Sequence, residues 1–268
     1  MFLKVLVDNN TIIDDYALGE PGLAFYLEID NKRILFDTGY SDIIINNALH
    51  YNIDLNNLDY IILSHGHNDH SRGLQYLIDT YDFKKTTLLA HPHVFDEKKE
   101  ASLEIGNPLS YEILKDKMNI VLTDLPYKIS DNLYFLGEIK RYNNFENQEP
   151  IGQTKYNSTI IDDYLYDDSA LAYCENKQLT IITGCSHSGI TNICEHAKEV
   201  TQCQEIKTII GGFHLFEDNE QLTKTINYFI SNKITNLYPC HCVSFVAKAK
   251  INNHIPITEV GVGFELKE

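Results

Sequence analysis

Four strong metal ligands fall within one short stretch, His65-Gly66-His67-Asn68-Asp69-His70. Imidazole and carboxylate donors suit zinc first, and also manganese or iron. In an extended segment, side chains two residues apart point to the same side. His65 and His67 can therefore grip one metal while Asp69 and His70 turn toward a second. The whole chain has 11 histidines, so three in six positions is a concentration that a chance polar loop does not account for. Two cations sharing one water would bring its pKa toward neutrality and stabilise the charge that develops on the substrate. The chemistry indicated is hydrolysis by a metal-bound hydroxide of a small ester, lactone or phosphoester, with Asp69 accepting a proton or orienting the nucleophile.

These side chains must be carried by rigid elements. Tyr60-Ile61-Ile62-Leu63 reads as a short buried strand, and the histidine cluster follows its C-terminal end, where a loop keeps ligands fixed yet open to solvent. Upstream, Val5-Leu6-Val7, Leu23 to Ile29 and Arg33 to Phe36 read as strands, the last two joined as a hairpin through Asn31-Lys32. Asp37 ends the hairpin in Asp37-Thr38-Gly39. It reads as an anchor for the histidine loop through hydrogen bonds, or as a plain turn residue. Helical spacing covers 41–50, with Ser41 as cap, and 71–78. Residues 95–118 read as charged and helical, broken near Gly106-Asn107-Pro108. Residues 140–158 are polar and aperiodic, either a lid over a substrate or a surface insertion.

The second half repeats a strand-then-helix rhythm. Strands at Leu179–Thr183, Thr208–Ile210 and Asn236–Tyr238 each run into a loop bearing a histidine: Gly184-Cys185-Ser186-His187, Gly211-Gly212-Phe213-His214 and Pro239-Cys240-His241-Cys242. Helices are expected from Ile190 to Val200 and from Glu220 to Asn232, the latter with Leu222, Ile226, Phe229 and Ile230 on one face. A last strand spans Val260 to Leu266. This alternation implies sheets covered by helices. No linker divides the chain, so residues 1–268 read as a single domain, with lid or insert segments near 95–118 and 140–158.

His65-x-His67-x-Asp69-His70, placed after an apolar strand and after Phe36-Asp37-Thr38-Gly39, resembles the metallo-β-lactamase superfamily. With the three later histidine loops, it is similar to a narrower group that contains dihydropterin-ribofuranosylaminobenzene-phosphate synthases. The resemblance implies an α/β fold, a four-layer αββα sandwich, with a dinuclear metal site at one sheet edge. It implies that His65, His67 and His187 hold one divalent ion, and that Asp69, His70 and His241 hold the other. It also implies an alternative activity, a transferase joining a pterin diphosphate to a ribosylated aromatic amine. Two departures stand out. Thr183-Gly184-Cys185 occupies the place of the group's Thr-Gly-Asp with its bridging carboxylate, and Cys185 reads either as packing or as a ligand for a soft metal. Glu20-Pro21-Gly22-Leu23 replaces Glu-His-Gly-Leu.

His214 reads as a proton donor to a leaving group or as a core histidine, and His91 is similar. Cys240 and Cys242 read as packing. Gly184 to Gly189 lacks the Lys-Ser/Thr of a phosphate-cradling loop, and Ser186-His187-Ser188 lacks a nucleophile elbow. The resemblance also implies a comparison with superfamily relatives that use iron for redox reactions, typically with a glutamate in the ligand set and a flavin domain attached; a redox module is not expected here.

Composition narrows the partners. The 268 residues are 43% hydrophobic and carry a net charge of −16, from 38 acidic and 22 basic residues. That field repels a polyanion and argues against nucleic acid; a small-molecule substrate is expected. No apolar run reaches the length of about 18 residues that spans a bilayer. The first ten residues lack the features of a signal peptide, so a cytoplasmic location is expected, where the six cysteines stay as thiols. Oligomeric state is not encoded in any of these features.

Overall fold

The computed structural model describes residues 1–156 and 159–268. The chain divides into two compact units, Met1–Asp124 with Ile151–Asp163 and Gly261–Glu268, and Leu125–Pro150 with Tyr164–Val260.

In the first unit a seven-stranded sheet runs in the order Glu265–Lys267, Phe2–Val7, Ala24–Ile29, Lys32–Phe36, Tyr60–Ile62, Thr87–Ala90 and Asn119–Leu122. Its first four strands pair antiparallel. From Lys32–Phe36 onward the pairing is parallel. The hairpin turn sits at Asp30 and Asn31, both at positive φ (49° and 60°), the geometry that matches strand twist in a two-residue turn. Helices Ile43–His50 and Gly73–Thr80 bury Ile44, Ala48, Leu74 and Leu77 in one cluster with Leu35, Ile61, Leu63 and Leu88. Asp42, not Ser41, is the N-cap residue of the first helix. Ser41 gives its hydroxyl to Glu20 instead (2.6 Å).

The helical expectation for 95–118 fails. The segment holds two short strands, Lys98–Glu100 and Leu103–Glu104, and only a single helical turn at Tyr111–Leu114. The charges that suggested a solvated helix are cross-strand partners: Lys99 and Glu104 stand opposite one another and pair at 2.6 Å. Lys98 is buried and bonded to Asp163 at 2.8 Å. The two strands join Gln153–Tyr156 and Thr159–Asp162 in a four-stranded sheet, so part of the supposedly irregular 140–158 segment is a strand. Residues 157–158 of that segment lie outside the described residues. The last strand is shorter and later than expected, Glu265–Lys267.

The second unit is a six-stranded sheet in the order Asn236–Pro239, Glu205–Gly211, Gln178–Thr183, Ala170–Glu175, Leu133–Phe135 and Tyr127–Lys128. The first three of these are parallel. Ile190, Ile193 and Ala197 of the helix Ile190–Thr201 and Leu222, Ile226 and Phe229 of Glu220–Ser231 pack with Ile181, Ile209 and Leu237. Asn219 caps the latter helix by accepting from Leu222 N–H at 3.0 Å. Ile230, expected on its buried face, is 48% exposed; eight residues beyond Leu222 it has rotated off that stripe.

Candidate functional site

The histidine loop of the first unit leaves the parallel strand Tyr60–Ile62 and enters the short helix Asn68–Ser71. It brings three predicted ligands together: the His65 ring lies 4.7 Å from His67 and 4.3 Å from His70, centroid to centroid. All three are buried. Asp69 is partly exposed, with Oδ2 3.7 Å from His70 Nε2.

Asp37 supports this loop. Fully buried at φ 59°, it accepts the Ser64 N–H at 2.7 Å and the Ser64 hydroxyl at 2.7 Å. It also accepts from His70 Nδ1 at 2.7 Å. A carboxylate only accepts, so His70 carries its proton on Nδ1. Ser64 has given its one proton to Asp37, so its oxygen accepts from His65 Nδ1 at 2.9 Å. Both imidazoles are thereby fixed in the tautomer whose basic nitrogen is Nε2, the form that suits metal ligation. Thr38 completes the brace: its N–H and hydroxyl both donate to the His70 carbonyl (2.7 and 2.9 Å), and it accepts from Leu74 N–H at 3.1 Å. Gly73 must be glycine, because a Cβ there would stand 1.9 Å from the Thr38 carbonyl oxygen. The sequence reading identified Asp37 and missed Ser64 and Thr38. Their signal was present in the residues flanking two strand ends.

In the second unit the three later histidines follow the C-terminal ends of the three parallel strands, where ligand-binding loops of α/β sheets collect. The His187 and His214 rings are 4.5 Å apart, and His214 meets Phe216 edge-on at 4.8 Å. Ser186, His214 and His241 all adopt positive φ (61°, 50° and 52°), an uncommon conformation for non-glycine residues that clusters at functional sites. The loops are laced together: Gly212 N–H donates to Gly184 O and Cys240 N–H to Gly211 O, both at 2.9 Å. Ser186 donates to Gly212 O at 2.6 Å. A Cβ on Gly212 would stand 2.5 Å from Cys242 Sγ and 2.6 Å from Gly184 O. Burial raises the Cys242 thiol, but hydrogen bonds with Cys185 and His214 and the positive potential of His241 and His214 outweigh it, leaving the thiol well below its usual range.

His187 is held from both sides by residues remote in sequence. Asn147 donates to its carbonyl at 3.0 Å, and buried Asp168 accepts the N–H and the hydroxyl of the following Ser188. Glu146, also buried, accepts from Thr191 N–H (3.0 Å), the Thr191 hydroxyl (2.6 Å) and Asn192 N–H (3.1 Å). It thus caps the helix Ile190–Thr201, whose own N-cap Gly189 offers no side chain. The 143–147 part of the segment expected to be a lid or insertion is therefore a fixed brace. Elsewhere, His93 pairs with Asp96 at 2.9 Å, and buried His196 bonds the Leu136 carbonyl at 3.2 Å.

The donors present fit a divalent metal. In the second unit the Cys185 thiol lies within 4.8 Å of a ring nitrogen of His187 and of one of His241, and in the first His65, His67 and His70 form one buried imidazole cluster. The Nδ1 of His214 is buried without a hydrogen-bond partner, as a nitrogen reserved for a reactant or an ion would be. Imidazole with thiol is a zinc-type donor set.

Comparison with known proteins agrees. Residues 17–116 match the family model described as the metallo-beta-lactamase superfamily. An uncharacterised protein of Methanocaldococcus jannaschii is 34% identical over 252 residues, covering 93% of each chain. From the same organism, 7,8-dihydropterin-6-methyl-4-(beta-D-ribofuranosyl)-aminobenzene-5'-phosphate synthase is 31% identical over 259 residues, covering 89% of this chain and 88% of its own. Among solved structures, Tm1679, described as a metal-dependent hydrolase of the beta-lactamase superfamily, superposes with a TM-score of 0.83 at 25% identity. That match covers 100% of this chain and 99% of Tm1679. The fold is the α/β sandwich of that superfamily. Histidine loop, fold and relatives converge, and the chain belongs to the metallo-β-lactamase superfamily.

Proposed function

We propose that the protein is a metal-dependent hydrolase acting on a small ester, lactone or phosphoester, a dinuclear zinc enzyme of the cytoplasm. The observation that carries this reading is the clustering of metal ligands within each unit, His65, His67 and His70 in the first and Cys185 with His187 and His241 in the second. In our assignment His65, His67, Asp69 and His70 are the ligands offered by the first unit, and Cys185, His187 and His241 those offered by the second. Cys185 thus stands as a thiolate ligand where the superfamily resemblance implies a carboxylate. A bound pair of divalent ions supplies an activated water and Lewis acidity toward the scissile group.

The chain's own residues do the rest. Asp37 and Ser64 keep His70 and His65 protonated on Nδ1, so that Nε2 stays basic. Asp69, partly open to solvent and next to His70, orients the attacking water and takes up its proton. His214, packed against His187, delivers a proton to the leaving group. No helix of the described residues is long and apolar enough to cross a membrane.

Similarity to the synthase favours one second reading, in which the site binds a pterin diphosphate, joins its pterin to a ribosylated aromatic amine and releases diphosphate. One set of assays separates the two. Chelator-stripped protein reconstituted with zinc is offered carboxyl ester, lactone and phosphodiester substrates, and separately the pterin diphosphate with the amine. Zinc-dependent hydrolysis without condensation is expected; condensation with stoichiometric diphosphate release replaces the hydrolase reading with the transferase. Full turnover in metal-free protein removes both.

A further inference from the structure

Beside the histidine loop, within the first unit, lies a cavity of about 490 Å³ whose walls include Tyr40, Asn68, Arg72, Phe95, Asn107 and Pro108. It is continuous with the metal-ligand segment: Asn68 N–H donates to Ile105 O at 2.8 Å, and His67 bridges Gly106. Arg72 stands one helical turn beyond Asp69.

Arg72 is unusual for so acidic a chain. Its guanidinium lies over the Tyr40 ring at 4.3 Å and makes no ion pair or side-chain hydrogen bond among the described residues. Tyr40 is in turn held in place, since Glu20 accepts its N–H at 2.9 Å and that of Ser41 at 3.0 Å. The other charges of the cavity wall are already matched: Glu97 with Lys155 (3.1 Å), Glu104 with Lys99 (2.6 Å) and Lys98 with Asp163 (2.8 Å). A stacked, pre-oriented guanidinium with all its donors unused is built for bidentate capture of an oxyanion. Asn107 adds a second donor. Its carbonyl oxygen is engaged by Leu109 N–H at 3.0 Å, while its Nδ2 is buried with no partner, a state that costs free energy unless something else supplies the acceptor.

We propose that this cavity is the anion subsite of the enzyme, in which Arg72 and Asn107 bind a phosphate or carboxylate group of the substrate and so position its scissile bond at the histidine loop. The substrate class is narrowed to oxyanion-bearing small molecules. This rests on the hydrolase reading above for what the subsite serves, but its binding chemistry can be measured separately.

The test is calorimetric titration of metal-loaded, full-length protein with phenyl phosphate, benzoate and the neutral benzyl alcohol. Wild type is compared with Arg72→Ala, Arg72→Lys and Asn107→Ala, with elemental analysis of each. Arg72→Ala is expected to bind phenyl phosphate or benzoate about 10-fold or more weakly, with Arg72→Lys intermediate and Asn107→Ala weakened about 3-fold. Benzyl alcohol should not discriminate, and metal content should not change. Whichever anion shows the larger loss identifies the group. Equal anion binding by wild type and Arg72→Ala, or no anion binding by either, overturns the subsite. Metal loss from Arg72→Ala also overturns it, because Arg72 would then be a support of the metal loop. Wild-type protein that holds metal and hydrolyses neutral esters, yet shows no dependence on Arg72, keeps the hydrolase and discards the subsite. Protein that takes up no metal discards the hydrolase while Arg72-dependent binding can still be scored.

Discussion

The two units hold their histidines by different means. In the first, one buried carboxylate does most of the holding: Asp37 orients His70 directly and His65 through Ser64, over distances of 2.7–2.9 Å. In the second, no single residue plays that part. His187 is braced by Asn147 and by Asp168 through Ser188, Glu146 caps the helix that follows, and His214 and His241 sit on left-handed turns laced by backbone hydrogen bonds. A hub concentrates the consequence of mutation at one position, whereas a distributed brace spreads it. The contrast can be broken or sharpened by substitution.

The largest effect is expected at the hub. Asp37→Ala leaves the Ser64 and His70 donors buried without an acceptor. Stability measured by urea unfolding should fall by about 4 kcal/mol, and zinc affinity should drop about 10- to 100-fold. An Asp37→Ala protein with wild-type metal affinity would make the hub a bystander.

Next comes a pH effect in the second unit. Burial raises the Asp168 carboxyl to about 6, against an ordinary value of 3.8, although the Ser188 hydrogen bonds and Arg141 pull the other way. Because the folded form holds this proton more tightly than the unfolded chain, the contribution to stability is fully present below about pH 4 and is lost as pH rises through about 6. The stability of wild type relative to Asp168→Asn should therefore decline by about 3 kcal/mol between pH 4 and pH 7. A difference that stays flat across that window would show Asp168 to be ionised without cost.

The smallest effect belongs to the relay. Ser64→Ala removes one hydroxyl that both donates and accepts, and should cost about 1 kcal/mol. Zinc affinity should weaken less than in Asp37→Ala, because His70 keeps its partner. Equal losses in the two variants would mean that Asp37 acts only through Ser64.

The same contrast explains what was legible in the sequence. The first histidine loop announces itself, since its ligands are neighbours in the chain and follow an apolar strand; Asp37 could be read from its place at a strand end. Strands such as Tyr60–Ile62 and Gln178–Thr183 were equally readable as apolar runs, whereas Asn119–Leu122, Leu133–Phe135 and Ala170–Glu175 went unread. The brace of the second unit was not. Glu146, Asn147 and Asp168 act on residues 20 to 45 positions away, and nothing local to them signals a partner. The 95–118 segment misled because Lys98, Lys99 and Glu104 look like a solvated helix face, when their partners are across a strand pair or as distant as Asp163. Cys185 was read from its place where the group carries an aspartate, and there packing and ligation look alike in sequence; its nearness to His187 and His241 could not be read.

The central claim is that the histidine loops of this chain hold divalent metal ions. It is tested most directly by elemental analysis of freshly purified protein beside His65→Ala and His187→Ala, each taken from a different unit. The account predicts two zinc ions per chain in the wild type and loss of metal in either variant. A wild type that holds no metal, or a His187→Ala protein that keeps both ions, would contradict it.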